Sequence, residues 1–123
     1  MSMKRLGRWL KSRTGGTGAF SAGKAHLERH DYETAVMAFS DAEEAFTRDF
    51  GPQHKWVEQA IAYQAWCKVK AGSPAAGVAL YERALRLAIE LNDDGDRLNQ
   101  LQEQLTWAKS EVERRTQGSD LNS

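Results

Sequence analysis

The sequence predicts an all-α protein, a stack of antiparallel helix hairpins, and three observations carry that expectation. Residues 30–46, HDYETAVMAFSDAEEAF, return at 72–88 as GSPAAGVALYERALRLA, so that Ala35 falls on Gly77, Val36 on Val78, Phe39 on Tyr81 and Ala42 on Ala84. The four matches stand at i, i+1, i+4 and i+7, the spacing of one helix face. Only two of the 123 residues are proline, which leaves most of the chain free to be helical. A repeat of this period means stacked hairpins, because one hairpin alone cannot bury its apolar face.

The elements follow in order. Residues 3–13, MKRLGRWLKSR, place Met3, Leu6, Trp9 and Leu10 on one side of a short helix and Lys4, Arg5, Arg8 and Lys11 on the other. Residues 14–18, TGGTG, hold three glycines in five positions and read as a flexible linker. A first domain helix is expected over 19–29, with Phe20, Ala22, Gly23 and Leu27 as its apolar and small positions. Asp31 then caps a second helix that carries Tyr32, Ala35, Val36, Phe39, Ala42 and Phe46 and stops at Gly51-Pro52.

A third helix, 55–71, carries Val57, Ile61, Ala65, Trp66 and Val69 and ends at Gly72. Ser73 and Pro74 occupy the cap and first-turn positions of a fourth, with Val78, Tyr81, Ala84, Leu85 and Ala88. Asn92-Asp93-Asp94-Gly95 makes a turn. A fifth helix, 96–115, aligns Leu98, Leu101, Leu105, Ala108 and Val112, and residues 116–123 read as a disordered tail. The expected organisation is thus a basic segment (1–13), a linker (14–18), a helical domain (19–115) and a tail.

Charge is distributed unevenly beneath a net value of zero. Residues 1–13 hold five basic side chains and no acid, and the first acid in the chain is Glu28. The remainder carries twelve basic and seventeen acidic residues, a basic head on an acidic body. That asymmetry points to an electrostatic attachment point and away from nucleic acid, whose binders spread basic residues over a domain face. No apolar run reaches the ~20 residues of a membrane span. A cytoplasmic location, peripheral at a membrane if the head binds one, fits best, and the acid-free amphipathic head keeps an organellar transit reading open. The single Cys67 excludes an internal disulfide.

These small and aromatic positions resemble the tetratricopeptide repeat. Gly23, His30-Asp31-Tyr32, Ala35, Phe39 and Ala42 fill the pattern once, and Ala65, Gly72, Gly77, Tyr81 and Ala84 fill it again. DFGPQHKWV at 49–57 looks like the connector of the kinesin-light-chain-type variant, with its longer period. The resemblance covers 18–91 as two repeats, with 96–115 similar to a solvating end helix, and implies a right-handed superhelical stack of the hairpins. His30 stands where a turn glycine is usual, Pro74 in place of a Tyr, and Gly77 in place of the Ala.

The resemblance implies a groove, lined by the first helix of each repeat, that accepts a peptide or helix of another protein. Carried over by position, its residues are Phe20, Lys24 and Leu27 with Ala62, Trp66 and Lys70. The attachment segment would comprise Lys4, Arg5, Leu6, Arg8, Trp9, Leu10, Lys11 and Arg13, meeting an anionic membrane, a shell or a second partner. The family's paired-lysine carboxylate clamp depends on Asn positions not found here.

Three function classes follow. The leading one is a protein–protein interaction adaptor without enzymatic activity, cofactor or small-molecule substrate. The second is a structural subunit that forms a homo-oligomer through the N-terminal segment. A distant third is a metal enzyme using His26 and His30, spaced i, i+4, with His54 as a further ligand. HLERH is not HExxH, however, and Glu28 projects to another face, so neither a metal site nor a catalytic residue is expected.

Overall fold

The computed structural model describes the backbone of residues 3–121 and the side chains of residues 15–117. Five helices account for it: α1 (Met3–Glu28), α2 (Tyr32–Phe50), α3 (Lys55–Lys70), α4 (Pro74–Glu90) and α5 (Gly95–Leu121). Each packs on the next in sequence, and α3 also touches α5. The result is an all-α stack of helical hairpins, as the repeat required.

Local chemistry sets the boundaries. The Asp31 carboxylate accepts a hydrogen bond from the Thr34 N–H at 3.3 Å and caps α2. His54 caps α3, its Nδ1 accepting from the Trp56 N–H at 3.1 Å. Ser73 occupies the N-cap of α4 without a side-chain bond, and Pro74 supplies the preset φ of the first turn instead. His30 and Gly72, equivalent under the repeat, both take left-handed conformations at φ 60° and 100° where their hairpins turn. The position demands that geometry, and glycine meets it without strain.

Burial repeats with the sequence. Ala35, Phe39 and Ala42 are fully buried, as are Tyr81 and Ala84, with Gly77 buried beside them. Val36 and Val78 are both half-buried. The main core joins Ala42, Phe46, Ile61, Ala65, Tyr81, Ala84, Leu101 and Leu105, and a smaller cluster holds Ala35, Phe39 and Cys67. α3, with helices on several sides, buries nine of its sixteen residues and loses the one-sided apolar stripe of a surface helix.

Glycine serves close helix approach at three positions. A Cβ at Gly16 would lie 2.3 Å from the Phe46 ring, and one at Gly23 would lie 2.7 Å from Phe39. These two glycines and two rings share a seven-residue spacing, which lets α1 lie along α2. In the second hairpin the glycine moves to the other helix. A Cβ at Gly77 would stand 2.4 Å from Val69 Cγ2, so the Ala-to-Gly departure makes room for a β-branched neighbour.

Two boundaries differ from the sequence-based expectation. The glycine-rich linker is not an open joint throughout: only Gly15, at φ 62° and ψ −162°, leaves helical geometry, and Gly16 already packs on Phe46. Contact with an aromatic ring overrides glycine's poor helix propensity. α5 likewise continues beyond Arg115 into the expected tail. The side chains of Lys4, Arg5, Leu6, Arg8, Trp9, Leu10, Lys11 and Arg13 lie outside the described residues. Among the described residues, no helix is long and apolar enough to cross a membrane.

Candidate functional site

α3 presents one incompletely buried strip, Gln59, Tyr63, Trp66 and Lys70, at i, i+4, i+7 and i+11. Beside it α1 contributes Phe20 and Lys24 one helical turn apart. Tyr63 ties the helices together: its ring meets Phe20 edge-on at 5.1 Å and stacks on buried Phe39 at 4.8 Å. Trp66 meets Tyr32 edge-on at 5.8 Å.

Both lysines lie over these rings. Lys24 Nζ stands 5.7 Å from the Phe20 centroid and 6.0 Å from that of Tyr63, and Lys70 Nζ stands 5.3 Å from Trp66. Each apolar stem covers aromatic surface while its ammonium stays in water. The face therefore offers flat apolar area edged by two positioned cations. Such a face suits side chains that pair an apolar body with an acceptor group.

Four of the six residues expected in a groove, Phe20, Lys24, Trp66 and Lys70, belong to this strip. Ala62 does not, being 6% exposed and part of the main core. It is the repeat equivalent of Phe20, and its small side chain lets the helices close over it. Leu27 is half-buried against the smaller cluster. Tyr63 and Tyr32 were missed. The i, i+4, i+7 spacing of Gln59, Tyr63 and Trp66 was the available signal for Tyr63.

The histidines do not converge. His30 Nδ1 lies 3.0 Å from the Tyr32 hydroxyl, and His26 Nδ1 stands 3.8 Å from Asp31 Oδ2. His54 caps α3 at the opposite end of the stack, about 28 Å away along the nineteen residues of α2. Among the described residues no three His, Cys, Asp or Glu side chains gather closely enough to hold a metal ion.

Buried titratable groups serve the fold. Glu58, 1% exposed, accepts a hydrogen bond from Arg97 Nε at 2.8 Å and pairs with the guanidinium's terminal nitrogen at 2.7 Å, joining α3 to α5. Burial pushes the Glu58 carboxyl upward, with Arg97 opposing the shift. Burial also raises the Cys67 thiol to about 11 and lifts Tyr81 above the ordinary phenol range. A thiol so displaced is held protonated, the reverse of nucleophilic activation. Gln64, also buried, donates to Glu43 Oε1 at 2.8 Å, and Glu43 accepts from Arg83 at 2.9 Å, which links α2, α3 and α4.

No family model, curated protein or solved structure matches this chain.

Proposed function

We propose that the protein is an adaptor built on a tetratricopeptide-like stack, binding a peptide or helix of another protein across the exposed strip of α1 and α3. The observation that supports this reading most is the pair of lysines held over aromatic faces, Lys24 on Phe20 and Tyr63 and Lys70 on Trp66. A stripe needed only for packing would bury these rings, and a stripe needed only for solubility would not back cations with aromatic surface. The basic N-terminal segment supplies a second attachment, to an anionic surface or another protein.

Affinity capture with the Lys24→Glu/Lys70→Glu variant tests the groove. Glu82→Lys, at an exposed site on α4, serves as the control. The reading expects a captured protein to be lost by the double variant and kept by the control. Retention of the same proteins by all three forms would refute it.

A further inference from the structure

Three of the four large apolar side chains exposed among the described residues gather at one end of the stack. Phe50 closes α2, Trp56 opens α3 and Ile89 stands in the last turn of α4. Gln53 Nε2 donates to Glu90 Oε2 at 3.3 Å, which ties the α2–α3 connector to the end of α4, and the Glu58–Arg97 pair adds the start of α5. Packing holds the rings in place without hiding them. Phe50 lies nearly parallel to His54 at 4.5 Å and stacks on buried Phe46 at 6.3 Å, while Trp56 tilts against Phe46 at 5.4 Å. Phe50 is nonetheless 55% and Trp56 42% exposed. Aromatic area that is fixed in position yet left wet marks an anchor site for another chain.

Charge decides which chain fits. The segments that build this end, residues 48–58 and 89–97, carry six carboxylates and three cations. Arg48 pairs with Asp49 at 3.6 Å, and Arg97 with buried Glu58 at 2.7 Å. Glu90, Asp93, Asp94 and Asp96 then stand against Lys55. Among the described residues Asp93 Oδ2 is buried with no hydrogen-bond partner, so its charge adds to the imbalance. A second copy of the patch would set carboxylates against carboxylates across an isologous contact, and an anionic lipid surface would be repelled in the same way. A chain with cations beside an apolar side chain gains apolar burial and Coulomb attraction together, and its Lys or Arg can lie over the open Trp56 ring. We infer that the Phe50–Trp56 end of the stack binds a cationic amphipathic segment of another protein. This surface lies about 15 Å along α3 from Trp66 and is additional to the α1–α3 strip.

Titration of the full chain with a synthetic amphipathic peptide of leucine and lysine, about fourteen residues long, tests this. The indole N–H resonances of Trp56, Trp66 and Trp107 report where it lands. The peptide should shift Trp56 and leave Trp66 and Trp107 in place, and an analogue with glutamate for lysine should shift none of them. Asp49→Lys/Glu90→Lys should weaken binding about tenfold or more, and so should Phe50→Ser, which keeps every charge. Circular dichroism melts check that both variants are folded. Lys24→Glu/Lys70→Glu, more than a Debye length away, should keep the affinity within about twofold at physiological salt, which separates this surface from the strip. An unmoved Trp56 resonance, equal shifts with the two peptides, or undiminished affinity in Asp49→Lys/Glu90→Lys or Phe50→Ser would overturn the proposal. A Trp56 shift that grows with protein concentration in the absence of peptide would overturn it in favour of a second copy. One produced by anionic vesicles alone would overturn it in favour of a membrane surface.

Discussion

Replacing Arg97 with Met should destabilise the protein by about 3 kcal/mol at neutral pH, with a penalty that shrinks on acidification. Arg97 is the hydrogen-bonding cation on Glu58, which is 1% exposed within the α3–α5 interface. Removing one partner of a buried pair costs about 3–5 kcal/mol, because the remaining charge is left uncompensated. The Arg97 side chain is 24% exposed, so water reaches the pair and the lower end of that range applies. A loss of 3 kcal/mol lowers the melting temperature by roughly 10 °C in a domain of this size.

The pH dependence has a definite sign. Burial sets the folded carboxyl above its ordinary value of 4.5, so the folded state binds the Glu58 proton more tightly than the unfolded chain. The stability this contributes is fully present below about 4.5 and is lost as pH rises through the folded pKa. Without Arg97 the folded pKa moves higher still. Urea denaturation followed by helical circular dichroism at pH 4.5, 6 and 7.5 should therefore show Arg97→Met approaching wild type at the acid end. Glu58→Met/Arg97→Met should recover most of the loss, because packed apolar groups replace a buried pair at little cost. An Arg97→Met variant within about 0.5 kcal/mol of wild type at pH 7.5, or equally destabilised at every pH, would refute the reasoning.

Four further outcomes follow from the packing. Gly77→Ala gains helix propensity, yet its Cβ would crowd Val69 and stand 3.0 Å from the Ala65 carbonyl oxygen, so a net loss of about 1–2 kcal/mol is expected, relieved in part by Val69→Ala. Gly95→Ala, with open space around it, should be close to neutral in the same melts. His30→Gly should raise stability by about 0.5–1 kcal/mol, because glycine accepts the left-handed turn that histidine takes under strain. Cys67, fully buried with its thiol raised to about 11, should resist a thiol reagent at pH 8 and react on unfolding in urea.

The repeat made the scaffold legible because helix packing constrains shape at fixed intervals. Ala35, Phe39 and Ala42 share full burial with Tyr81 and Ala84, so one face could be read from sequence alone. What escaped depended on a partner distant in sequence. Gly16 counts as linker by composition and becomes helix because Phe46 lies against it. Ala62 has the right position for a groove, yet the tight packing that its own small size permits buries it. The Glu58–Arg97 pair joins residues in different helices, and no local spacing announces it. At the candidate site the lysines and Trp66 were named only by carrying over the groove positions of the resembled repeat. Tyr63 was not singled out, because its role depends on Phe20 from another helix.

The central claim, that the strip on α1 and α3 binds a partner while the repeated positions hold the frame, is tested most directly by quantitative affinity capture. Wild type is compared with Lys24→Glu/Lys70→Glu after both have been melted. The account predicts melting temperatures within about 2 °C, as expected for exposed sites, and at least one protein retained by wild type and lost by the variant. Identical sets of captured proteins from two equally stable forms would contradict it.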